Sequence, residues 1–369
     1  MTFDVEAARR ELPSVTNATY LNAGSFGPLP RPAADAMRDH VGRSFEQGRI
    51  GNVGFDRLLL QLDEARAAFA SALSASPDEV ALAHCTTDGV NAVLWGLPLG
   101  RGDEILTTTH EHPGLTAPLD ELARVRGVEV RAVAPERLGD AIASSTKLVA
   151  FSHVLWTTGE TLDVRAITEH ARSRGALTLV DGAQSAGAFD VRPAELGADF
   201  YTVSGQKWLC GPSGTGALWI RPAALSQLGT PWPWYLSKSR GPGGPSDWST
   251  ARRLDATTCS MTSLAGAIAA VRWHADQVGK GAYEAAKVRA AAFREGLARV
   301  PKVGVVPVQS PSLLVSFRVD GEPAADVAAR LEAAKVLVRS IPDIDAVRVS
   351  VGFWNDDRDM ETMLHTLRR

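Results

Sequence analysis

The chain has 369 residues, 45% of them hydrophobic, with 39 basic against 42 acidic side chains and a formal charge of −3. That size and composition suffice for two domains with real cores and exclude a disordered polymer, while the near-balanced charge supplies none of the positive field that nucleic-acid binding uses. Cys85, Cys210 and Cys259 are too scattered for a disulfide scaffold or a zinc cluster and fit a reducing cytoplasm, and neither a signal peptide nor a run of about 20 apolar residues able to span a bilayer is read.

In chain order, the stretch up to Thr19 reads as a short helix and an arm, Tyr20 to Pro32 as a glycine- and proline-marked loop, and Gly42 to Gly54 as a second irregular connection. Leu58, Leu62, Ala65, Phe69 and Leu73 then repeat at helical spacing until Pro77-Asp78. Beyond them, short apolar runs alternate with helical segments. Strands are expected at Val80 to Ala83, Glu104 to Thr109, Val128 to Val133, Lys147 to Ser152, Leu177 to Asp181, Phe200 to Ser204 and Ala217 to Ile220, with helices near Gly89 to Trp95, Leu115 to Arg126 and Val164 to Arg174. This alternation is what a mostly parallel sheet with helical crossovers requires.

Thr230 to Thr250 reads as a long loop in which Trp232, Trp234, Tyr235 and Trp248 either line a pocket or pack on a partner subunit. Two helices, Ser260 to Val278 and Tyr283 to Leu297, lead into a smaller unit with strands at Leu313 to Val319 and Val347 to Val351, a helix at Ala324 to Ala334 and a tail helix capped by Asn355. His40, His84 and His274 show no metal-ligand spacing, so no metal is expected.

Leu-Thr-Leu-Val-Asp-Gly, ending at Gly182, is a buried strand that finishes in Asp181 at the C-terminal edge, where open α/β sheets place ligands. A strand-end aspartate also caps turns, but Lys207 follows in Val-Ser-Gly-Gln-Lys-Trp, between a strand and a glycine-rich turn, and a lysine there can reach into a cleft and form an imine. Thr86-Thr87-Asp88-Gly89 opens a helix straight after a strand and suits a phosphate, although a simple N-cap accounts for the same residues. Arg348, in Arg-Val-Ser-Val-Gly-Phe-Trp-Asn, presents a fork that suits a carboxylate.

Together these segments resemble the class V aminotransferase superfamily, in the branch of cysteine desulfurases, isopenicillin N epimerases and carbon–sulfur lyases, from Tyr20 to Trp354. The resemblance implies a pyridoxal-5'-phosphate (PLP) enzyme of the α/β aspartate-aminotransferase-like fold (fold type I), a large domain with a mostly parallel mixed sheet plus a smaller α+β domain. The expected division is an arm at 1–19, a large cofactor domain at 20–259, and a linking helix with the small domain at 260–369. In the family's pattern Lys207 is the Schiff-base lysine, Asp181 pairs with the pyridine nitrogen, Gln184 bonds the phenolic oxygen, and Thr87 and Ser204 meet the phosphate with the backbone of Asp88 and Gly89. Gln206 stands where many relatives carry histidine, and its amide can still donate to phosphate. His112, with His110 as competitor, matches the imidazole over the ring. Trp156 stands near a position where desulfurases have asparagine.

The same pattern implies a homodimer in which Thr258 reaches the partner's phosphate. It gives Arg348 the substrate α-carboxylate, leaving Arg339 and Arg49 as weaker candidates for a second charge, and Asn22 and Ser25 match the N-terminal active-site loop. An external aldimine and a quinonoid are then expected. Val336 to Val347 contains no cysteine for a persulfide, so β-elimination from a sulfur amino acid is preferred, followed by transamination and epimerisation. A noncatalytic binding module and a purely structural scaffold are the competing readings from other classes.

Overall fold

The computed structural model describes residues 3–49, 51–241 and 244–368. Met1 and Thr2 of the expected arm, Ile50, Pro242 and Gly243 of the tryptophan-rich loop, and Arg369 lie outside the described residues.

The chain opens with two short helices, α1 (Val5–Arg10) and α2 (Ser14–Asn17), and β1 (Thr19–Tyr20), followed by the long helices α3 (Arg31–Gln47) and α4 (Asn52–Ala72). The alternating region runs β2 (Val80–Ala83), α5 (Thr86–Gly96), β3 (Glu104–Thr108), α6 (Pro113–Arg126), β4 (Glu129–Val133), β5 (Thr146–Ser152), α7 (Val164–Ser173), β6 (Leu177–Asp181), β7 (Phe200–Ser204) and β8 (Gly216–Ile220). After α8 (Pro222–Leu225) come β9 (Lys238–Gly241) and β10 (Gly244–Asp247), then α9 (Met261–Gly279) and α10 (Ala282–Ala298). The last part contains β11 (Val303–Val305), β12 (Leu314–Val319), α11 (Ala324–Ala333), β13 (Val336–Leu337), β14 (Arg339–Ile341), β15 (Ala346–Ser350) and α12 (Asp357–Leu367).

Seven strands form one sheet in the order β2-β8-β7-β6-β5-β3-β4, parallel except for β8, which runs antiparallel to both neighbours. Its central strands are predominantly apolar and buried along almost their whole length because helices cover both faces. On one face Phe151, Val180, Tyr201 and Trp219 pack with residues of α4, α7 and α9. On the other, Leu148, Leu179, Phe200 and Leu218 pack with residues of α5 and α6. Each such side chain contributes about 1.5–3 kcal/mol by burial, so the strand ends are held on a stiff frame.

The second sheet, β11-β12-β15-β14, is antiparallel. The N-terminal segment belongs with it: Leu12, Val15 and Leu21 share a core with Phe317, Val347, Trp354 and Met363, and β1 pairs in parallel with β13.

Several expectations are corrected. Residues 42–47, expected to be irregular, complete α3, because Gly42 sits inside a helix, a placement that costs about 1 kcal/mol relative to alanine but does not break it. α3 is absent from the sequence expectation: Ala33, Met37, Val41 and Phe45 recur at i+4 spacing in it, but Ala33 is its one buried residue. The tryptophan-rich segment, expected to lack secondary structure, contains the β9–β10 hairpin. Asp356, rather than Asn355, caps α12 by accepting from the Asp359 amide, while Asn355 receives the Gly352 amide and donates to the Tyr20 carbonyl.

Candidate active site

The C-terminal ends of β5, β6 and β7 bring Ser152, Asp181 and Ser204 to one edge, and the turn after β7 carries Lys207. These residues line a cavity of about 260 Å³ together with Cys85, Thr86 and Thr87 at the start of α5, His112, Trp156, Gln184 and Gln206, the loop residues Gly24, Ser25 and Phe26, and Arg339 and Arg348 from the small sheet. The loop crosses the lysine turn closely. The Gly27 amide donates to the Gln206 carbonyl at 2.8 Å, and a Cβ on Gly27 would stand 2.0 Å from the Lys207 carbonyl oxygen, so only glycine fits.

Asp181 is 5% exposed and accepts one hydrogen bond, from the Ala183 amide to Oδ1 at 2.8 Å, leaving its other oxygen unsatisfied among the described residues. Burial raises its pKa, against the pull of Lys207. The Lys207 amine is held down to about 8, first by burial and then by Arg348 and Arg339, with Asp181 opposing. Arg348 is 1% exposed; its guanidinium donates to the Trp156 carbonyl at 2.8 Å, its Nε has no partner, and burial with the neighbouring Arg339 lowers its pKa to about 9. The two arginines stand directly opposite each other across β14 and β15, an arrangement of like charges that costs energy until an anion arrives. Three cations facing one carboxylate make the cavity a site for anionic ligands.

His112 lines the cavity edge-on to Trp156, with ring centroids 4.9 Å apart, and its Nδ1 accepts from the Gly114 amide at the start of α6. Burial and then the nearby cations lower its pKa to about 4, so the ring is neutral. His110 instead bonds the Thr157 hydroxyl at 3.3 Å. Gln184 donates to the Gly24 carbonyl and accepts from the Trp208 indole, which fixes its amide between the loop and the sheet. Ser204 accepts from the Thr86 amide at 3.3 Å, joining β7 to the start of α5.

The model of the aminotransferase class-V family matches residues 21–361. The chain belongs to this family. A probable cysteine desulfurase of Methanothermobacter thermautotrophicus is 35% identical, over 60% of this chain and 58% of its own length. The isopenicillin N epimerase of Amycolatopsis lactamdurans is 33% identical over 96% of this chain and 95% of its own. A solved structure of the cystine C–S lyase C-DES with its reaction product cysteine persulfide superposes with a TM-score of 0.93 at 30% identity, covering 97% of this chain and 99% of that one.

Within this class-V chain, not every expected residue enters the cavity. Asp88 and Gly89 line a second cavity of about 470 Å³ with His84, Trp232 and Thr257; the Asp88 carboxylate takes the His84 ring at 3.0 Å, and the Gly89 amide points to the Cys85 carbonyl at 3.4 Å. Trp232 thus meets a pocket and is 52% exposed, while the Trp248 indole is tied to the Leu236 carbonyl. Thr258 is exposed and lines neither cavity, and Asn22 lines an adjoining groove that Ser25 shares. Arg49 lies outside the cavity, whereas Arg339 is brought in by strand pairing. Cys85, Ser152 and Phe26, which line the cavity, were missed. For Cys85 the signal was available, since it lies two residues past the end of β2 and immediately before α5. Among the described residues no cluster suits a metal, and no helix is long and apolar enough to cross a membrane.

Proposed function

We propose that this chain is a PLP-dependent enzyme of the carbon–sulfur lyase type that acts on an α-amino acid, with β-elimination as its reaction. The observation that carries the reading is the convergence of Lys207, Asp181 and Arg348 on one cavity. The residues fit the cofactor: a buried carboxylate with a free oxygen suits a pyridinium N–H, the start of α5 with Thr86, Thr87 and Ser204 suits the phosphate, and the Arg348 guanidinium lining the cavity suits a substrate carboxylate. When bound, PLP supplies an electron sink conjugated to the substrate Cα.

Lys207 would hold the cofactor through Nζ, and its neutral amine is the base placed for the Cα proton. A pKa near 8 keeps a useful fraction of that amine neutral at physiological pH. Asp181 would face the ring nitrogen, His112 would cover the ring, Gln184 would stand by its oxygen, and Gln206 with Thr86 and Thr87 at the start of α5 would complete the anion site. Arg348 fixes the α-carboxylate so that the Cα–H bond faces Lys207; Ser25 and Asn22 border the substrate. The similarity to a cystine C–S lyase favours a sulfur-containing substrate, and the similarity to an isopenicillin N epimerase keeps epimerisation as the second reading.

The exposed Thr258 suits a homodimer in which it completes the partner's phosphate site, so dilution to monomers should weaken cofactor binding. The division at 1–19, 20–259 and 260–369 and a cytoplasmic location, which three unpaired thiols suit, belong to the same proposal.

Borohydride trapping followed by mass spectrometry should find the adduct on Lys207, and incubation with cystine should release pyruvate and ammonia. An adduct on another lysine would overturn the assignment; a keto acid retaining the substrate carbon skeleton, or inverted stereochemistry without pyruvate, would replace elimination by transamination or epimerisation.

A further inference from the structure

Glu111 is a carboxylate that the proposed chemistry does not use. It is 5% exposed, and its hydrogen-bond donors are all neutral: the Ser152 amide at 3.1 Å, the Ser152 hydroxyl at 2.5 Å and the Thr108 hydroxyl at 2.7 Å. A buried carboxyl with no cation beside it is costly to keep, and burial, with a contribution from Asp181, raises its pKa to about 7. The groups around it are Asp181 on β6, the neutral His112 next in the chain and, beyond Asp181, Lys207.

The position of these bonds matters more than their number. Thr108 ends β3 and Ser152 ends β5, and Ser152 stands in register with Asp181 on β6. Glu111 therefore ties together two strand ends at the edge where the cavity opens. Its immediate neighbour His112 starts α6 and enters that cavity.

We propose that Glu111 is a positioning residue of the site: through Thr108 and Ser152 it fixes the ends of β3 and β5, and with them the places of the His112 ring and the Asp181 carboxylate. This rests on the reading of the cavity as a PLP site. Glutamine can reproduce the clamp, accepting from the Ser152 amide and the Thr108 hydroxyl through its carbonyl and donating to the Ser152 oxygen through its amide. Alanine cannot.

The test uses the cofactor-loaded enzyme and reads the visible circular dichroism of the Lys207-bound cofactor, which reports how the ring is held, alongside kcat and KM. Glu111→Ala should still load the cofactor but change that signal and lower kcat about tenfold to a hundredfold, as for a displacement of about 1 Å, with KM changed less than threefold. Glu111→Gln should restore both signal and kcat to within about threefold. Ser152→Ala, which removes one donor and keeps the backbone bond, should lie between them and serves if Glu111→Ala does not fold. The proposal is overturned if Glu111→Ala or Ser152→Ala keeps the wild-type signal and kcat, or if Glu111→Gln is as impaired as Glu111→Ala. Wild-type protein that never loads PLP would instead sink the reading of the cavity itself.

Discussion

Where the seven-stranded sheet reaches the cavity it offers Asp181, Ser152 and Ser204 on strands packed between helices, with Lys207 on the turn just beyond. The four-stranded sheet reaches the same cavity with guanidinium groups, Arg348 buried and Arg339 exposed beside it. On the proposed reading the first set holds the cofactor and the second takes the substrate carboxylate. Attachment and recognition are therefore separable by mutation, because they stand on different cores.

The sharpest way to break this division is Lys207→Ala, which should abolish both covalent attachment and turnover, while Lys238→Ala, on the exposed hairpin, should leave both intact; absorbance and the mass of the trapped protein read the outcome. Arg348→Lys should leave attachment as it was and lose kcat/KM by about 2–5 kcal/mol, because lysine keeps the charge but not the fork. Steady-state kinetics showing wild-type kcat/KM would shift the carboxylate to Arg339.

A pH profile sharpens the comparison further. Attachment needs the neutral amine, and Lys207 is held down to about 8, so the attachment rate should rise with pH to a midpoint near 8 and then level off. Arg348→Met removes a positive neighbour and should move the midpoint up, whereas Asp181→Asn removes a negative one and should move it down. Stopped-flow absorbance checks this, and a wild-type midpoint near the free-lysine value of about 10.4 would contradict it. The smallest effect is expected for Cys85→Ser: elimination needs no protein thiol, so turnover should stay within about threefold of wild type by product assay, even though Cys85 lines the cavity.

The large sheet was legible because parallel strands covered on both faces read as unbroken apolar runs, and Asp181 and Lys207 stood at strand ends that can be located from those runs. Arg339 could not be ranked from sequence, since its place depends on the register with Arg348 across β14 and β15. Glu111 was hidden for a similar reason: its partner Ser152 is 41 residues away, and an acidic residue beside a histidine carries no mark of burial. α3 was missed because Pro32 and Gly42 read as breaks, although Pro32 sits in the first turn, which tolerates it, and Gly42 inside the helix.

The way the N-terminal segment is stitched to the end of the chain has a consequence for synthesis. Thr19 and Leu21 donate to the Lys335 and Leu337 carbonyls, Gly24 donates to Ser350, and Arg9 bonds the Trp354 carbonyl and Asp359. The loop that closes over Lys207 is thus synthesised more than 300 residues before the partners that fix it in place. Closing so long a loop is slow compared with forming local helices. A nascent chain can build its large sheet with the lysine turn still uncovered, and the cavity acquires its roof only once the segments around Lys335 and Ser350 have emerged.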